Sequence, residues 1–515
     1  MDYKAEGVCV KLYRLHLLSP SGVARLLHAL LCEGVNLMAV TRFAAHFYPS
    51  MLAVADEQHH YTYPALHAKA RAWAGVLYEQ GWRRGMRCAL LGRNSSEMVV
   101  ASLALSRLGV HIYYMSTDLS KEQVRQLCQE RQIETALVQE EYADRMPSDL
   151  DVKLLDDLNK SDESLGPRRI PKSRGGRIIV LTGGSSGHYK VAARKPSVTA
   201  FLHPFLALLR EIRLDECRSV YIAPPLYHGF GLASLIVALV MGRSVYLRKR
   251  FDAQSATRLL SEHSIEVLIA VPLMLRRLIN ESPSEIRSLR RILSGGAPLD
   301  TPLVRAVEQH WGAVLYNLYG TSEAGFFILA TPEILYNAPL ALGKPIRGVR
   351  CNIVRPDSQG VGVLAVCSGW AMDERKGSWQ ETGDLVWMDE SGVLFLRGRD
   401  DSMILSGGEN AYPEVLREAL AALDAVMDVA VIAYPDLEFG TRLAAFVVLK
   451  ADHDSTSEED LRLLLSAKLP RYQMPGRIIR LAVLPRLENG KVAEGTLREM
   501  MEVTAQAEER YEDRA

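Results

Sequence analysis

The sequence has no charge of either sign to spare. Its 515 residues carry 61 Lys plus Arg against 61 Asp plus Glu. No global field therefore draws the chain to nucleic acid. Cysteine is sparse. The seven, at 9, 32, 88, 128, 217, 351 and 367, form no CxxC pair and are odd in number. This excludes a disulfide framework and a zinc site, and predicts reduced thiols in a cytoplasmic protein. An N-terminal signal segment is lacking, and so are long apolar runs. "GFGLASLIVALVMG" (229–242) is too short to span a bilayer and predicts a buried helix. "GVARLLHALLCEGVNLMAV" (22–40) carries Arg25, His28 and Glu33 and predicts an amphipathic helix. No transmembrane segment is expected, which leaves peripheral membrane contact open.

Apolar residues make up 48% of the chain, enough for more than one packed core. Between 61 and 175, helical patterns alternate with short apolar strands. "YPALHAKARAWAGVLYEQG" predicts a helix, "RCALLG" a buried strand, "SSEMVVASLALSRLG" a helix and "VHIYYM" another strand. The rhythm returns at "SVYIAP", "SVYLRK", "VLIAVP" and "AVLYNLYG". It predicts an α/β fold with helix-covered parallel sheets. The polar stretch 159–177 predicts a loop. After Arg350, "CNIVR", "GVLAVCS", "DLVWMD" and "GVLFLRG" predict a small β-rich subdomain. A second α/β unit begins near "DSMILSGGENAYPEVLREAL", with strands "DVAVIAYP" and "RLAAFVVLK" and a helix at "SEEDLRLLLSAKL".

The stretch "LTGGSSGHYK" (181–190) follows the predicted strand "RIIV", where parallel sheets bind ligands. Glycines 183, 184 and 187 would let backbone N–H groups approach a ligand. Ser185 and Ser186 add hydroxyls and Lys190 a cation. These residues suit a polyphosphate, and they equally suit an ordinary surface loop. They do not form a Walker A loop, because no Ser or Thr follows the lysine. "GVGVLA" (360–365) fits a dinucleotide pattern but predicts a hairpin turn, since no helix follows it.

Four further islands follow in order: "ILSGGAPL" (292–299), "NLYGTSEAG" (317–325), "ETGDL" (381–385) with "LRGRDDSMILSGGENAYP" (396–413), and "LENGKV" (487–492). With the glycine loop, their order and spacing resemble the acyl-adenylate-forming superfamily. That superfamily holds acyl-CoA synthetases, adenylation domains of nonribosomal peptide synthetases and firefly-type luciferases. The resemblance runs from "YTYPAL" to "GKV". It implies a large N-terminal domain over 1–400 and a small mobile α+β domain over 401–515, hinged at Asp401. It also implies a two-step reaction with ATP, Mg²⁺ and coenzyme A, catalysed by an AMP-forming acid–thiol ligase. A carboxylate first attacks the α-phosphate of ATP. A thiol then takes the acyl group and releases AMP.

The same resemblance assigns residues. Thr182, Ser185, Ser186, Gly187 and Lys190 would hold the β- and γ-phosphates. Glu323 would hold the metal, a hard oxygen donor suited to Mg²⁺, with Gly320 and Thr321 beside it. Tyr319 would stack on adenine, with Gly295, Gly296 and Ala297 as the pocket wall. Asp384 would accept from the ribose hydroxyls, with Arg399 near ribose and phosphate. Lys491 would bridge carboxylate and α-phosphate, and Gly407 and Gly408 would leave room for a pantetheine arm. Met alone, Asp384 reads as a turn residue, Lys491 as a solvated lysine, Glu323 as a helix-start charge and Tyr319 as core.

The glycine loop departs from the superfamily pattern at Tyr189 and Val191, which puts pyrophosphate handling in question. The following Arg194 and Lys195 predict a solvated face. The acid pocket falls on "PPLYHGFGLASL" (224–235), which offers His228 and Phe230 and no carboxylate. Asp252 in "FDAQS" predicts a helix cap instead of an ammonium ligand. An apolar pocket suits a medium or long fatty acid, or an aryl acid. His228 would orient the carboxylate, gate the tunnel, or simply pack in the core. A pantetheinyl carrier protein could replace coenzyme A, and a weakly catalytic ATP- or acyl-binding protein of the same fold is the third alternative.

Overall fold

The computed structural model describes residues 7–160, 170–182, 190–195, 197, 201–400, 404–406, 409–436, 440–466, 468–469, 473–487 and 490–501. Two large sheets and one small one carry the chain. In the first sheet the strands Asp151–Leu154, Thr135–Val138, Arg87–Leu91, His111–Met115 and Ile178–Thr182 lie side by side and parallel. Lys190–Arg194 closes its edge antiparallel to Ile178–Thr182. In the second sheet Leu52–Ala55, Ser244–Tyr246, Ser219–Ile222, Val267–Ala270, Arg291–Gly295 and Leu315–Thr321 run parallel.

The expected β-rich segment after Arg350 is present. Its strands join the second sheet edge to edge. Ala341–Pro345 pairs with Leu394–Arg399, which continues into Gln380–Met388, Gly362–Cys367 and Arg350–Val354. "GVGVLA" lies at the turn of the last hairpin, as its sequence suggests.

Helices between the two large sheets form the main core. We label the first five helices α1 (Val8–Arg14), α2 (Pro20–Glu33), α3 (Leu37–Phe47), α4 (Tyr63–Glu79) and α5 (Ser96–Leu108). Every residue of α5 is buried. Among the described residues its polar side chains find partners within the fold except at Ser96 Oγ, which is what lets it be buried all round. Ser102 donates to Met98 O at 2.7 Å and accepts from the Tyr114 hydroxyl at 2.7 Å, and Ser106 Oγ accepts from Leu37 N at 3.1 Å. The helix Gly229–Val240 packs in the same layer, as predicted for a buried apolar helix.

The segment 22–40 is two helices, not one. The chain turns at Gly34, whose φ is +92° and where a Cβ would lie 2.2 Å from Ser173 O. Asn36 then caps α3, accepting from Met38 N and Ala39 N. Buried ion pairs fix these helices. Glu33 accepts from Arg107 Nε and Arg42 Nη1, both at 2.8 Å. Lys11 donates to Leu209 O at 2.7 Å and pairs with Asp215 at 3.2 Å.

The third sheet joins Glu409–Ala411, Ile404–Ser406, Gly440–Leu449 and Val426–Asp436, with Arg477–Arg480 parallel to Gly440–Leu449. Helices Pro413–Ala421 and Glu458–Ser466 cover one face, and Leu497 and Met501 cover the other. All seven cysteines are free. Among the described residues no helix is long and apolar enough to cross a membrane. Asp252 caps the helix Ala253–Glu262, accepting from Ser255 N.

Helix Pro413–Ala421 brings a charged cluster to the second sheet. Glu418 sits among Glu414, Arg417, Arg397 and Asp300. Burial, and then the Glu414 charge, push its carboxyl from 4.5 up to about 7. The folded state thus favours the protonated acid. Stability from this group is full below pH 4.5 and is lost as pH rises through about 7. Glu418→Gln removes that loss. Thermal unfolding should show the variant gaining on the parent between pH 5 and pH 8, by on the order of 2–3 kcal/mol.

Candidate active site

The parallel strands of the second sheet end in one cleft of about 2740 Å³, bounded by both the large sheets and the small one. Ligands in open α/β sheets bind beyond the carboxyl ends of the strands. Strand Arg291–Gly295 leads to Gly296 and Ala297 on the cleft wall, while Gly295 itself is buried. Strand Leu315–Thr321 delivers Tyr319, Gly320 and Thr321.

Tyr319, Asp384 and Arg399, 65 and 15 residues apart in pairs, form one hydrogen-bonded set. Asp384 and Arg399 face each other across two paired strands. Arg399 Nη1 donates to Asp384 Oδ1 at 3.0 Å and to Thr382 O at 3.1 Å. The Tyr319 hydroxyl donates to Asp384 Oδ2. Burial and the Asp384 charge raise the Tyr319 phenol well above its usual value, so it stays a donor. Asp384 is buried and each oxygen already accepts one bond. A carboxylate oxygen has two lone pairs, so each can accept once more. Tyr319 is therefore tied by its hydroxyl as well as packed edge-on against Phe327.

Glu323 lies in the turn after this strand and lines the cleft, half-buried. Its turn is fixed through the backbone. Thr321 Oγ1 accepts from Ala324 N at 3.0 Å, and Met372 N donates to Glu323 O at 2.8 Å. Arg194 Nη2 donates to Ser322 O at 2.5 Å and to Glu323 O at 3.2 Å, and Arg194 Nε to Trp370 O at 3.4 Å. This overturns the expected solvated face. Burial lowers the Arg194 guanidinium pKa, and the Glu323 charge acts against that. Lys195 is exposed as expected. A period-two count along Lys190–Arg194 could have found the clamp, because Arg194 falls on the same face as buried Ala192.

Lys491 comes from the small unit. Leu487 N donates to Lys491 O at 2.8 Å and Gly490 N to Leu487 O at 2.9 Å, closing a tight turn. Gly490 has φ +81°, and a Cβ there would lie 3.0 Å from Val271 Cγ2. The turn thus touches the wall built by the large unit. Arg486 holds it from behind. Its Nη1 donates to Gly490 O at 2.9 Å and its Nη2 to both Asp428 oxygens at 2.8 Å. Sequence reading missed this pair, since nothing local links residues 58 positions apart.

His228 is half-buried at the start of helix Gly229–Val240, and its Nε2 is shielded from solvent with no hydrogen-bond partner among the described residues. Burial, and then the Lys491 charge, lower its pKa to about 4, so it is neutral at pH 7. Phe230 stands beside it on the cleft wall. Leu232, Ile236 and Val240 of this helix, and Leu26 and Leu30 of α2, also line the cleft. Among the described residues, no group of three His, Cys, Asp or Glu could hold a metal. Ser185, Ser186, Gly187, Asp401, Gly407 and Gly408 lie outside the described residues, as do Tyr189 and the rest of the glycine loop. Thr182 and Lys190 are described in backbone only, as the two residues pairing at the ends of the strands that flank the loop.

Comparisons agree with this architecture. The chain is 25% identical over 459 residues to 2-succinylbenzoate–CoA ligase of Listeria monocytogenes, covering 88% of this chain and 97% of the relative. It is 26% identical to the same enzyme of Bacillus cereus, covering 88% and 96%. The o-succinylbenzoate CoA synthetase of Bacillus subtilis, in complex with its acyl-adenylate intermediate, superposes with TM-score 0.79 at 24% identity, covering 89% and 97%. An anthranilate CoA ligase in complex with anthranoyl-AMP gives 0.80 at 20%, covering 92% and 98%. Fold and comparisons together define an AMP-forming acid–thiol ligase of the acyl-adenylate-forming superfamily. The chain belongs to the AMP-binding enzyme family, whose model matches residues 41–367, with the AMP-binding enzyme C-terminal domain at 417–491.

Arg194→Ala should release the Glu323 turn while leaving the acid pocket untouched. Adenylation should fall about tenfold to a hundredfold, with a raised Mg²⁺ requirement and an unchanged KM for the acid. Pyrophosphate release measured across a Mg²⁺ titration checks this, and Arg194→Lys, which offers no fork, should restore little.

Proposed function

We propose that the chain activates an apolar monocarboxylic acid as its adenylate and passes the acyl group to coenzyme A. The observation that carries this reading is that Lys491 and His228 line the same largely apolar cleft, with the Lys491 charge felt at His228. A shielded imidazole Nε2 without a hydrogen-bond partner, in a cleft that also receives an ammonium group from the small unit, suits a carboxylate. Neutral His228 would donate Nε2–H to one carboxylate oxygen. Lys491 would neutralise charge on the attacking oxygen and the α-phosphate together. The carboxylate oxygen bonds to the α-phosphorus as its bond to the β-phosphate bridging oxygen breaks, and pyrophosphate leaves. In the second step a thiol attacks the acyl carbon and AMP leaves. Fixed donors placed where charge develops are the main source of such catalysis.

The remaining residues fit the nucleotide. Asp384 has acceptor capacity left for ribose hydroxyls, and Arg399 would lie toward the phosphates. The glycine loop with Thr182, Ser185, Ser186, Gly187 and Lys190 would take the β- and γ-phosphates. Glu323 suits Mg²⁺, which binds one or two carboxylates plus phosphate oxygens and neutralises phosphate charge when bound. The domain boundary near Asp401 and the rotation that would bring Gly407 and Gly408 to the cleft belong to the same proposal.

The relatives are named for 2-succinylbenzoate and anthranilate, both aromatic acids. At this identity those substrates do not transfer. The apolar residues that line the cleft with His228, among them Phe230, Leu232 and Ile236, favour an alkyl chain, with an aryl acid as the second choice. The named relatives are CoA ligases, so coenzyme A is the proposed acceptor over a carrier protein.

Acid-dependent pyrophosphate release with ATP and Mg²⁺, over C6–C18 fatty acids, benzoates, 2-succinylbenzoate and amino acids, tests the reading directly. Release with an apolar acid, raised by coenzyme A, is the expected result, and Lys491→Ala should lower it on the order of 10²–10³-fold. Silence across the panel, or a Lys491→Ala rate equal to the parent's, would sink the proposal. Asp428→Asn should slow adenylation about tenfold or more by loosening the Lys491 turn. It should leave thioester formation from a preformed adenylate unchanged.

A further inference from the structure

The helix Pro413–Ala421 of the small unit lies against the strand Leu394–Arg399 of the large one. A Cβ on Gly398 would lie 3.8 Å from Glu414 Cβ. Tyr412, which precedes the helix, packs with Val361, Val363 and Leu385. Apolar contact of this kind holds the helix to the strand without giving it a direction. Direction comes from charge. Arg417 Nε donates to Glu414 Oε1 at 2.7 Å. Its Nη2 is shielded from solvent, pairs with the same oxygen and makes no hydrogen bond among the described residues.

The large unit answers with Asp300, buried at the start of the helix Thr301–Trp311. This carboxylate is itself fixed. Its Oδ1 accepts from Leu303 N at 2.9 Å and its Oδ2 from Arg276 Nη2. Burial works against the Arg417 cation, but Glu414, then Asp300 and Glu418, outweigh it and hold its pKa above the ordinary value. A cation of one unit thus feels a fixed carboxylate of the other. Asp300, Arg276, Glu414 and Arg417 all line the cleft that receives Lys491. Charges across an interface fix register more than they add affinity. We propose that Arg417 is a positioning residue, which through Asp300 clasps the small unit in the arrangement that brings Lys491 into the cleft. Arg486 fixes the Lys491 turn within the small unit, and the clasp fixes the unit itself. The link to adenylation rests on the proposed chemistry of Lys491, whereas the clasp can be read without a substrate.

Arg417→Gln in the full chain should slow adenylation about tenfold and should not slow thioester formation from a preformed adenylate. Arg417→Lys should keep most of the rate, because charge is what acts across the gap. Asp300→Asn keeps a helix cap and drops the charge. It should slow adenylation to a similar extent, and joined with Arg417→Gln it should add little more. Additive effects of the two, or equal losses in both half-reactions, would overturn the proposal. The substrate-free reading uses spin labels at Tyr336→Cys and Leu463→Cys, exposed sites on the large and the small unit. The chain for labelling also carries Cys9→Ser, Cys32→Ser and Cys351→Ser, which removes the free thiols that are not buried. The distances between labels should broaden in Arg417→Gln and in Asp300→Asn. Distances that match the parent's would overturn the clasp, as would adenylation that needs Lys491 but ignores Arg417→Gln. Silence of the parent with every acid would instead count against the proposed function and leave the label distances to decide the clasp.

Discussion

The ion pair between Arg486 and Asp428, one guanidinium nitrogen shared by both carboxylate oxygens, is the constraint on which the proposed chemistry depends. Lys491 stands on a short turn of the small unit, and a lysine side chain alone carries four rotatable carbons and no fixed direction. The turn must therefore be set by its backbone. Arg486 does this from one side, with one nitrogen on the Gly490 carbonyl and the other on a carboxylate anchored in the strand Val426–Asp436. Val271 and Leu273 do it from the other, by contact with Gly490. A flexible cation is thus delivered by a rigid support. Its charge is already felt at His228 on the opposite wall.

The end of the cleft proposed for the nucleotide follows the same logic with different parts. Tyr319 and Arg399 hold Asp384 from two sides, so its carboxylate is aimed before any ligand arrives. Arg194 holds Glu323 by its backbone and leaves the side-chain oxygens uncommitted to the clamp. Both arrangements spend an arginine on orientation. Preorganised charge of this kind costs no rearrangement at the moment of reaction. It also explains why the strand Lys190–Arg194 matters beyond its length. It connects the glycine loop directly to the turn that bears Glu323.

Much of this was legible in the sequence, and the limits have physical causes. Strand and helix periodicity placed the parallel sheets, the buried helix Gly229–Val240 and the Asp252 cap, because each is written in local pattern. The islands named Tyr319, Asp384 and Arg399, and the structure brings the three together. Three things escaped. The break in 22–40 depends on Gly34 meeting Ser173 across the fold. The β-rich strands after Arg350 join the second sheet through a pairing of Ala341–Pro345 with Leu394–Arg399 that no local pattern announces. Arg194 and Arg486 find partners far along the chain, and a lone arginine in a sequence looks solvated.

His228 shows how the two ends of the argument meet. A histidine beside a carboxylate would ordinarily be expected to carry charge and bind by ion pairing. Here burial and the Lys491 ammonium hold its pKa near 4. At pH 7 His228 would therefore meet the acid as a neutral donor beside the Lys491 cation, not as a second cation. That difference matters for the first step. A carboxylate gripped by two full charges is a poor nucleophile, because its electrons are held in the ground state as strongly as in the transition state. A neutral Nε2–H can orient one oxygen while the other stays reactive. The apolar walls beyond serve the same end. In the proposed reaction they would bind the body of the acid, supplying affinity at a distance from the reacting oxygen and leaving charge at the cleft mouth for the step that needs it.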